Sequence, residues 1–576
     1  MRYLLVCLIT ALCVATASAT DSRLIDVTQP PYNAVGDGAT DCSKAFQDAL
    51  HAAGEGDDGG VVFVPRGQFL ISEPLRMRPN TALRGVWTYP PNSPQFWPPF
   101  EEKALPGSVL LVTAGEGDED GPPFITIHAS CAIEGLVIYY PKQVKENPPK
   151  PYAWTVQITE GGADHCTIRN VLMVNPYKAV DFGTHPSGRH FIENLYAYPL
   201  YRGLYIDKCY DIGRVSNVHF WPFWGYTGDD DPVGRFVTDH AEAFIIGRTD
   251  WEYFNNCFAI FYHVGFRFVN RGAGGGNVLL TQSGADICPY AVLVEEVQGH
   301  SGVSFSNSQI FGRVTVKDTN AGPVRFTGCG FFGATREPEP RDPIHCEIAG
   351  AGHVSFENCH FITLDPKNTA KTSILAAGGG LSVSNCLFMD VGRVHFDLRP
   401  GLRTAVIVGN TFQGVMVMRD TSEANVQAGL NADQRAPKEP DSLTVDNLDE
   451  GDGFSTDGAW YLGKAGGDYR GVVHWAEAGD GEATATWRVN LPQAGDYTVS
   501  VWYGADPFSD RATDAPYTVR HAAGEETIRI NQREHSGQWV ELGTFRFEAG
   551  SAVVTLSNAA NGNVLADAVR WVPVAK

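Results

Sequence analysis

The sequence is short of cations. It carries 44 Lys and Arg against 66 Asp and Glu, a formal net charge of −22. A chain with that balance repels nucleic acid and anionic lipid, so neither is expected as a partner. An acidic polysaccharide would need a locally basic groove. Long apolar runs are missing as well: beyond the first residues no stretch is long and apolar enough to cross a bilayer. There is no CxxC pair and no metal-finger spacing, so no metal ligand set is expected. Between residues 160 and 420, NG and DG turns at hairpin spacing are scarce, which excludes a hairpin-built sandwich there.

The extreme N-terminus is different. One Arg precedes an apolar run from Tyr3 to about Val14, and Ala17-Ser18-Ala19 follows. That is the pattern of a signal peptide over residues 1–19, cleaved after Ala19. The run is too short for a membrane span. Leu12 is bulky where a lipoprotein signal before Cys13 would need a small residue. A secreted or periplasmic location is expected. Cys7 and Cys13 would leave with the signal, so 10 of the 12 Cys remain. Export suggests disulfides. Against that, Cys329, Cys359 and Cys386 recur at one point of a repeat, which favours stacked, buried thiols.

Glycine is abundant at 62 residues and aromatic content is 11%, an all-β balance. The repeat gives the architecture. VSFSNSQIF from Val303, VRFTGCGFF from Val324, VSFENCHFI from Val354, LSVSNCLFM from Leu381 and AVIVGNTFQ from Ala405 share one pattern. CTIRNVLMV, HFIENLYAY and GRVSNVHFW fit the same frame further back. Each alternates apolar and polar residues, turns at Asn or Gly, and resumes with an apolar residue. Period-two alternation means a strand with one buried face. A repeat of roughly 24 residues fits one coil of three short strands and three turns. Stacked coils satisfy each other's backbone, and turn Asn side chains can ladder. A parallel β-helix is expected over residues 20–418.

The stretch IDVTQPPYNAVGDGATDCSKAFQDAL followed by GGVVFVPRGQFLIS resembles the N-terminal segment of the pectate-lyase-type right-handed β-helix superfamily, which includes rhamnogalacturonase/epimerase-like and polygalacturonase-related proteins. The resemblance implies a helix from Thr40 to about Ala53 that caps the open coil end, with Asp37 and Asp41 structural. Residues 419–441 lose the apolar pattern and read as a linker. From about residue 442 to 576, seven short alternating strands suggest a β-sandwich. LPQAGDYTVSVWYG and GQWVELGTFRFEAG resemble the golvesin/xanthan-lyase C-terminal domain, which implies carbohydrate binding. Trp460, Tyr461, Tyr469 and Trp475 are its candidate sugar-stacking rings, whereas Trp487, Trp502 and Trp571 alternate within strands and read as core.

In the superfamily, substrate lies along the outside of one parallel sheet. Placing Val180, Leu204, Phe244 and Phe266 inward puts Asp181, Tyr205, Ile245 and Arg267 outward, one per coil, with Asp207 one step along. Two insertions crowd this patch. PFWGYTGDDDPVGRFVTDHAE brings Trp221, Trp224, Tyr226, Asp230, Asp239, His240 and Glu242, and FGTHPSGRH brings His185. Aromatic rings beside carboxylates suit a sugar site. Candidate catalytic groups are Asp181, Asp207, Asp230, Asp239, His240 and Arg267. Tyr205, Trp221, Trp224, Tyr226, His185 and Glu242 would bind substrate. The expected activity is a glycoside hydrolase acting on a plant or algal polysaccharide by carboxylate acid/base catalysis, without a cofactor. One alternative is a lyase acting on a uronate polymer, with Tyr205, His240 or Arg267 as base and calcium or Arg neutralising the carboxylate. The other is a non-catalytic glycan-binding surface protein. The sequence leaves the oligomeric state open.

Overall fold

The structure, a computed structural model, describes residues 23–574 apart from 57, 89–104, 226–230, 334–343, 364–371, 391–392, 434–442, 450, 452, 464–465 and 505–509. The expected signal peptide lies outside the described residues. The fold is a right-handed parallel β-helix followed by a small β-sandwich. Its two largest sheets hold 28 and 13 strands. The chain divides into two compact units, Met1–Cys288 with Glu296–Val303, and Pro289–Glu295 with Ser304–Lys576. No helix among the described residues is long and apolar enough to cross a membrane.

The repeat frame read from sequence is the frame of the coils. In the second unit Val324 pairs with Val354, Val354 with Leu381, and Leu381 with Ala405, all in parallel. Alternation sends Phe326 and Phe356 inward, and their rings stack at 5.3 Å. Phe331, Phe361, Phe388 and Phe412 form a second stack with centroids 4.7, 4.6 and 4.8 Å apart. Aligned coils at the strand spacing of roughly 4.8 Å make such stacking the default for identical positions.

In the first unit the turn asparagines do what their residue type permits. Asn170, Asn194, Asn217 and Asn256 all hold a left-handed backbone, with φ near 52°. Such a φ costs little for Asn. Their amides form a ladder: Asn194 donates to Asn170 at 2.9 Å, Asn217 to Asn194 at 2.5 Å and Asn256 to Asn217 at 3.1 Å. All ten cysteines of the described residues are buried, free thiols.

The expected cap helix is present as Ser43–Ala53, with Phe46, Ala49, Leu50 and Ala53 buried. It starts three residues late because Asp37–Asp41 is a strand. Asp37 accepts from the Ala39 and Thr40 amides, and Asp41 from Ser43 and Ser72, so both are structural. The expected linker needs correction. Met418–Asp420, Asn425–Gly429 and Ala432–Asp433 are strands paired in parallel with the preceding coil, so coil structure continues to Asp433. Exposed charged residues disguise them, because a terminal coil has fewer neighbours to bury it.

Among its described residues the C-terminal domain has twelve strands in antiparallel sheets of four, five and three. Trp487 and Trp571 are fully buried in its core, as expected. Trp502 is not: it is half-buried, and its indole N–H donates to the Gly467 carbonyl at 2.8 Å.

Candidate active site

Five parallel strands of the first unit carry the candidate residues: Trp154–Ile158, Lys178–Phe182, Arg202–Ile206, Glu242–Ile246 and Val264–Phe268. Val156, Val180, Leu204, Phe244 and Phe266 are in register. Phe244 and Phe266 stack at 4.7 Å in the core. Gln157, Asp181, Tyr205, Ile245 and Arg267 form the next row, in the register the sequence predicted.

Most of that row is covered. Asp181 is fully buried, and its two oxygens are engaged by four donors: the Gly183 and Thr184 amides at 2.8 Å, Gln157 Nε2 at 2.6 Å and the Thr184 hydroxyl at 2.5 Å. Asp207 is fully buried too, accepting from the Lys208 and Arg248 amides at 2.7 Å and from the Tyr205 hydroxyl at 3.0 Å. These carboxylates tie down turns and cannot meet a substrate. Tyr205 is packed with Trp154, Ile245 and Val269, and Arg271 lies over its ring at 4.9 Å. Burial, reinforced by the Asp207 charge, raises its pKa, which makes it a poor base. The catalytic roles expected of Asp181 and Asp207, and the substrate contact expected of Tyr205, therefore become structural ones.

The insertion, expected as loop, is partly a helix. Asp231 caps Pro232–His240, accepting from the Gly234 amide at 2.9 Å, and Pro232 opens the first turn. Asp-Pro followed by Val233, Phe236 and Val237 was the overlooked signal. Asp230 and Tyr226 lie outside the described residues. Trp224 is buried beneath Lys145, and Trp221 packs edge-on against Tyr196. His185 is half-buried. None of these three lines the cleft described next.

An open cleft of about 450 Å³ is lined by Tyr177, Tyr201, Arg202, Phe236, Asp239, His240 and His263. It unites the expected Asp239 and His240 with Tyr177, Tyr201, Arg202, Phe236 and His263, which sequence pattern alone does not single out. Tyr177 and Tyr201 stack at 5.1 Å, with Phe236 tilted beside both. The Arg202 guanidinium lies 3.6 Å over the Tyr201 ring and donates to the Tyr201 and His240 carbonyls. Glu242, expected to bind substrate, is buried and paired with Arg267 at 2.5 Å and Arg202 at 3.6 Å. It holds the two guanidinium groups instead. Lys178, which pairs in register with Arg202, is likewise neutralised, its Nζ lying 2.8 Å from Glu119.

His263 has a defined tautomer. Its Nδ1 lies 3.1 Å from the Thr238 carbonyl, which can only accept, so Nδ1 carries the proton of that contact. Burial lowers its pKa below the usual histidine value, which favours the neutral ring. The missed signal was a recurrence: Tyr177-Lys178 and Tyr201-Arg202 stand at one coil position, each just before its strand.

In the β-sandwich, Tyr469, Trp502 and Trp539 form a triad with centroids 5.1 to 5.6 Å apart, and Arg570 lies 4.4 Å over Trp539. All three rings are half-buried. Tyr461 pairs with Trp475 at 4.8 Å, and Trp460 packs against the core.

Comparison with known proteins bears on both domains. Residues 443–573 match the golvesin C-terminal domain. Residues 27–100 match the family described as rhamnogalacturonase A/epimerase, pectate lyase-like. Xanthan lyase of Bacillus sp. (strain GL1) is 36% identical over 147 residues, covering 24% of this chain and 16% of that protein. Plasmin and fibronectin-binding protein A of Streptococcus pneumoniae (strain ATCC BAA-255 / R6) is 44% identical over 52 residues, 9% of this chain and 7% of that protein. The chain thus spans a small part of the length of either relative. Among solved structures, Paenibacillus xanthan lyase aligns over 28% of this chain and 16% of its own, at 27% identity and a TM-score of 0.22. The N-terminal fragment of bacteriophage Phi29 gene product 12 aligns over 75% and 73%, at 13% identity and a TM-score of 0.46.

Proposed function

We propose that the chain is a polysaccharide-degrading enzyme, and that it cleaves an acidic glycan by β-elimination in the Tyr177–Tyr201 cleft. The observation that carries this reading is the placement of a neutral histidine and an arginine beside stacked rings. Half-buried Tyr201, stacked on the buried Tyr177 and covered by Arg202, leaves apolar ring atoms for contact with a sugar. Arg202 sits where it would neutralise a uronate carboxylate, which acidifies the neighbouring C–H. His263 Nε2 would take that proton. The electron pair forms the carbon–carbon double bond as the bond to the leaving oxygen breaks, and His240 would return a proton to that oxygen. The partial similarity to xanthan lyase supports a polysaccharide substrate.

Hydrolysis asks for two carboxyl groups across the scissile bond. Asp181 and Asp207 are enclosed, and Glu242 is held by two arginines. Asp239 is then the one exposed carboxylate among the described lining residues. A second reading, a non-catalytic glycan-binding protein, draws on the 52-residue similarity to plasmin and fibronectin-binding protein A.

The test is incubation of the full chain with uronate-containing and neutral polysaccharides, with and without added calcium. Ultraviolet absorbance of an unsaturated uronate together with new reducing ends supports elimination. Reducing ends without that absorbance overturn it in favour of hydrolysis. Retained glycan binding with neither signal favours the non-catalytic reading.

A further inference from the structure

We propose that His190, Cys209 and Glu252 form a buried site for a divalent metal ion of the zinc class, separate from the cleft. The three side chains come from different coils of the first unit, and each is fully buried. One ligand atom from each lies within 4.8 Å of the other two. His190 Nε2 is 2.8 Å from Glu252 Oε1. The Cys209 thiol donates to the Asp211 carbonyl at 2.8 Å. Nothing in the proposed cleavage uses any of them.

One observation points to a missing ligand. Glu252 Oε2 and His190 Nδ1 are buried and make no conventional hydrogen bond among the described residues, the Cys209 thiol being the group set against the Glu252 carboxylate. Buried polar atoms are normally satisfied, and an orphaned carboxylate oxygen is among the costliest exceptions. Gly213 is what lets the donor groups come together. Its register position lies between those of His190 and Glu252, since Phe191 pairs with Arg214 and Arg214 with Tyr253. A Cβ there would stand 2.2 and 2.4 Å from the two Glu252 oxygens and 2.5 Å from His190 Cε1. The absent side chain is what allows the carboxylate to reach the imidazole across the intervening coil.

The donor set is one nitrogen, one sulfur and one oxygen, which suits a borderline-soft ion and not calcium. Charge favours it as well. A thiolate and a carboxylate balance a divalent ion and leave the dry interior neutral, with neutral imidazole as third ligand and one proton released from Cys209. Because the site is enclosed, the ion would enter during folding and exchange slowly afterwards.

The experiment is metal analysis of the full chain unfolded in chelator, then refolded with zinc or cobalt(II) and desalted. The expected result is about one metal ion per chain, with a thiolate-to-cobalt charge-transfer band and a higher Tm than the metal-free protein. Cys209→Ser should abolish the band and the Tm increment. His190→Gln should abolish the Tm increment while preserving the far-ultraviolet circular dichroism of a β protein. Wild-type protein that refolds without binding metal overturns the proposal, and so does a cobalt–thiolate band that survives in Cys209→Ser. The wild-type spectrum alone decides the matter if a variant fails to fold.

Discussion

Arg202 lies over Tyr201 at 3.6 Å while its Nη1 donates to the Tyr201 and His240 carbonyls. The guanidinium is thus aimed before any substrate arrives, at one side by the helix end and at the other by the strand it starts. Pre-aimed charge loses less entropy on binding and acts more strongly on a developing negative charge.

Replacement of Arg202 should therefore show in catalysis. Arg202→Ala is expected to lower kcat/KM by about 100-fold, and Arg202→Lys should recover little because a lysine neither stacks nor bridges both carbonyls. Steady-state kinetics on the substrate identified by the panel would check this. An Arg202→Ala enzyme with unchanged kcat/KM would remove Arg202 from the site.

The pH profile should carry the signature of His263. Its folded pKa is depressed, so its neutral form persists to lower pH than an ordinary histidine. Activity should fall on the acid side as pH drops through that value. The stability contribution has the same sense: it is present above the unfolded-state pKa of roughly 6.5 and is lost as pH falls through the lower folded value. His263→Gln should abolish activity and flatten the acid limb of the stability curve. Chemical denaturation at a series of pH values measures the second effect without needing substrate.

Asp181 offers the converse test. Asp181→Asn leaves mismatched donors against the Gly183 and Thr184 amides, which should cost about 2 kcal/mol of stability. Turnover per folded molecule should stay within a few-fold of wild type. A variant as stable as wild type but inactive would return Asp181 to the chemistry.

The aromatic triad of the second domain should hold glycan. Trp539→Ala is expected to weaken retention of the full chain in polysaccharide-containing gels by about 10-fold, corresponding to the loss of one stacked ring of roughly 1.4 kcal/mol. Cleavage of short oligosaccharides should be unaffected, since the cleft residues are untouched.

The buried cysteines make a simple prediction. A thiol reagent should find almost no reactive groups in the native protein, and reductant should leave Tm unchanged, because the ten described cysteines are free and enclosed. A lower Tm in reductant would reveal a disulfide.

Much of this protein is written in its sequence by itself. The Val324, Val354, Leu381 and Ala405 frame fixes the coils, because period-two alternation repeated at coil length has one way to bury every apolar face. The same logic placed Asp181, Tyr205 and Arg267 in one row. Asn at the turns announced both the left-handed backbone and the ladder. Local pattern determines these features because each depends on residues a few positions apart or on the same position of the next coil.

Tertiary structure alone decided which of the aligned residues meet solvent. Asp181 and Asp207 point out of the coil, yet neighbouring turns enclose them, and pattern cannot register what an insertion covers. The cleft arises because the helix Pro232–His240 brings Phe236, Asp239 and His240 beside Tyr177 and Tyr201, which lie two coils and one coil earlier. The His190, Cys209 and Glu252 cluster depends on a glycine that leaves room between coils. Such sites are set by packing across sequence-distant segments, where the physical determinant is the space left between side chains and not the residue types along the chain.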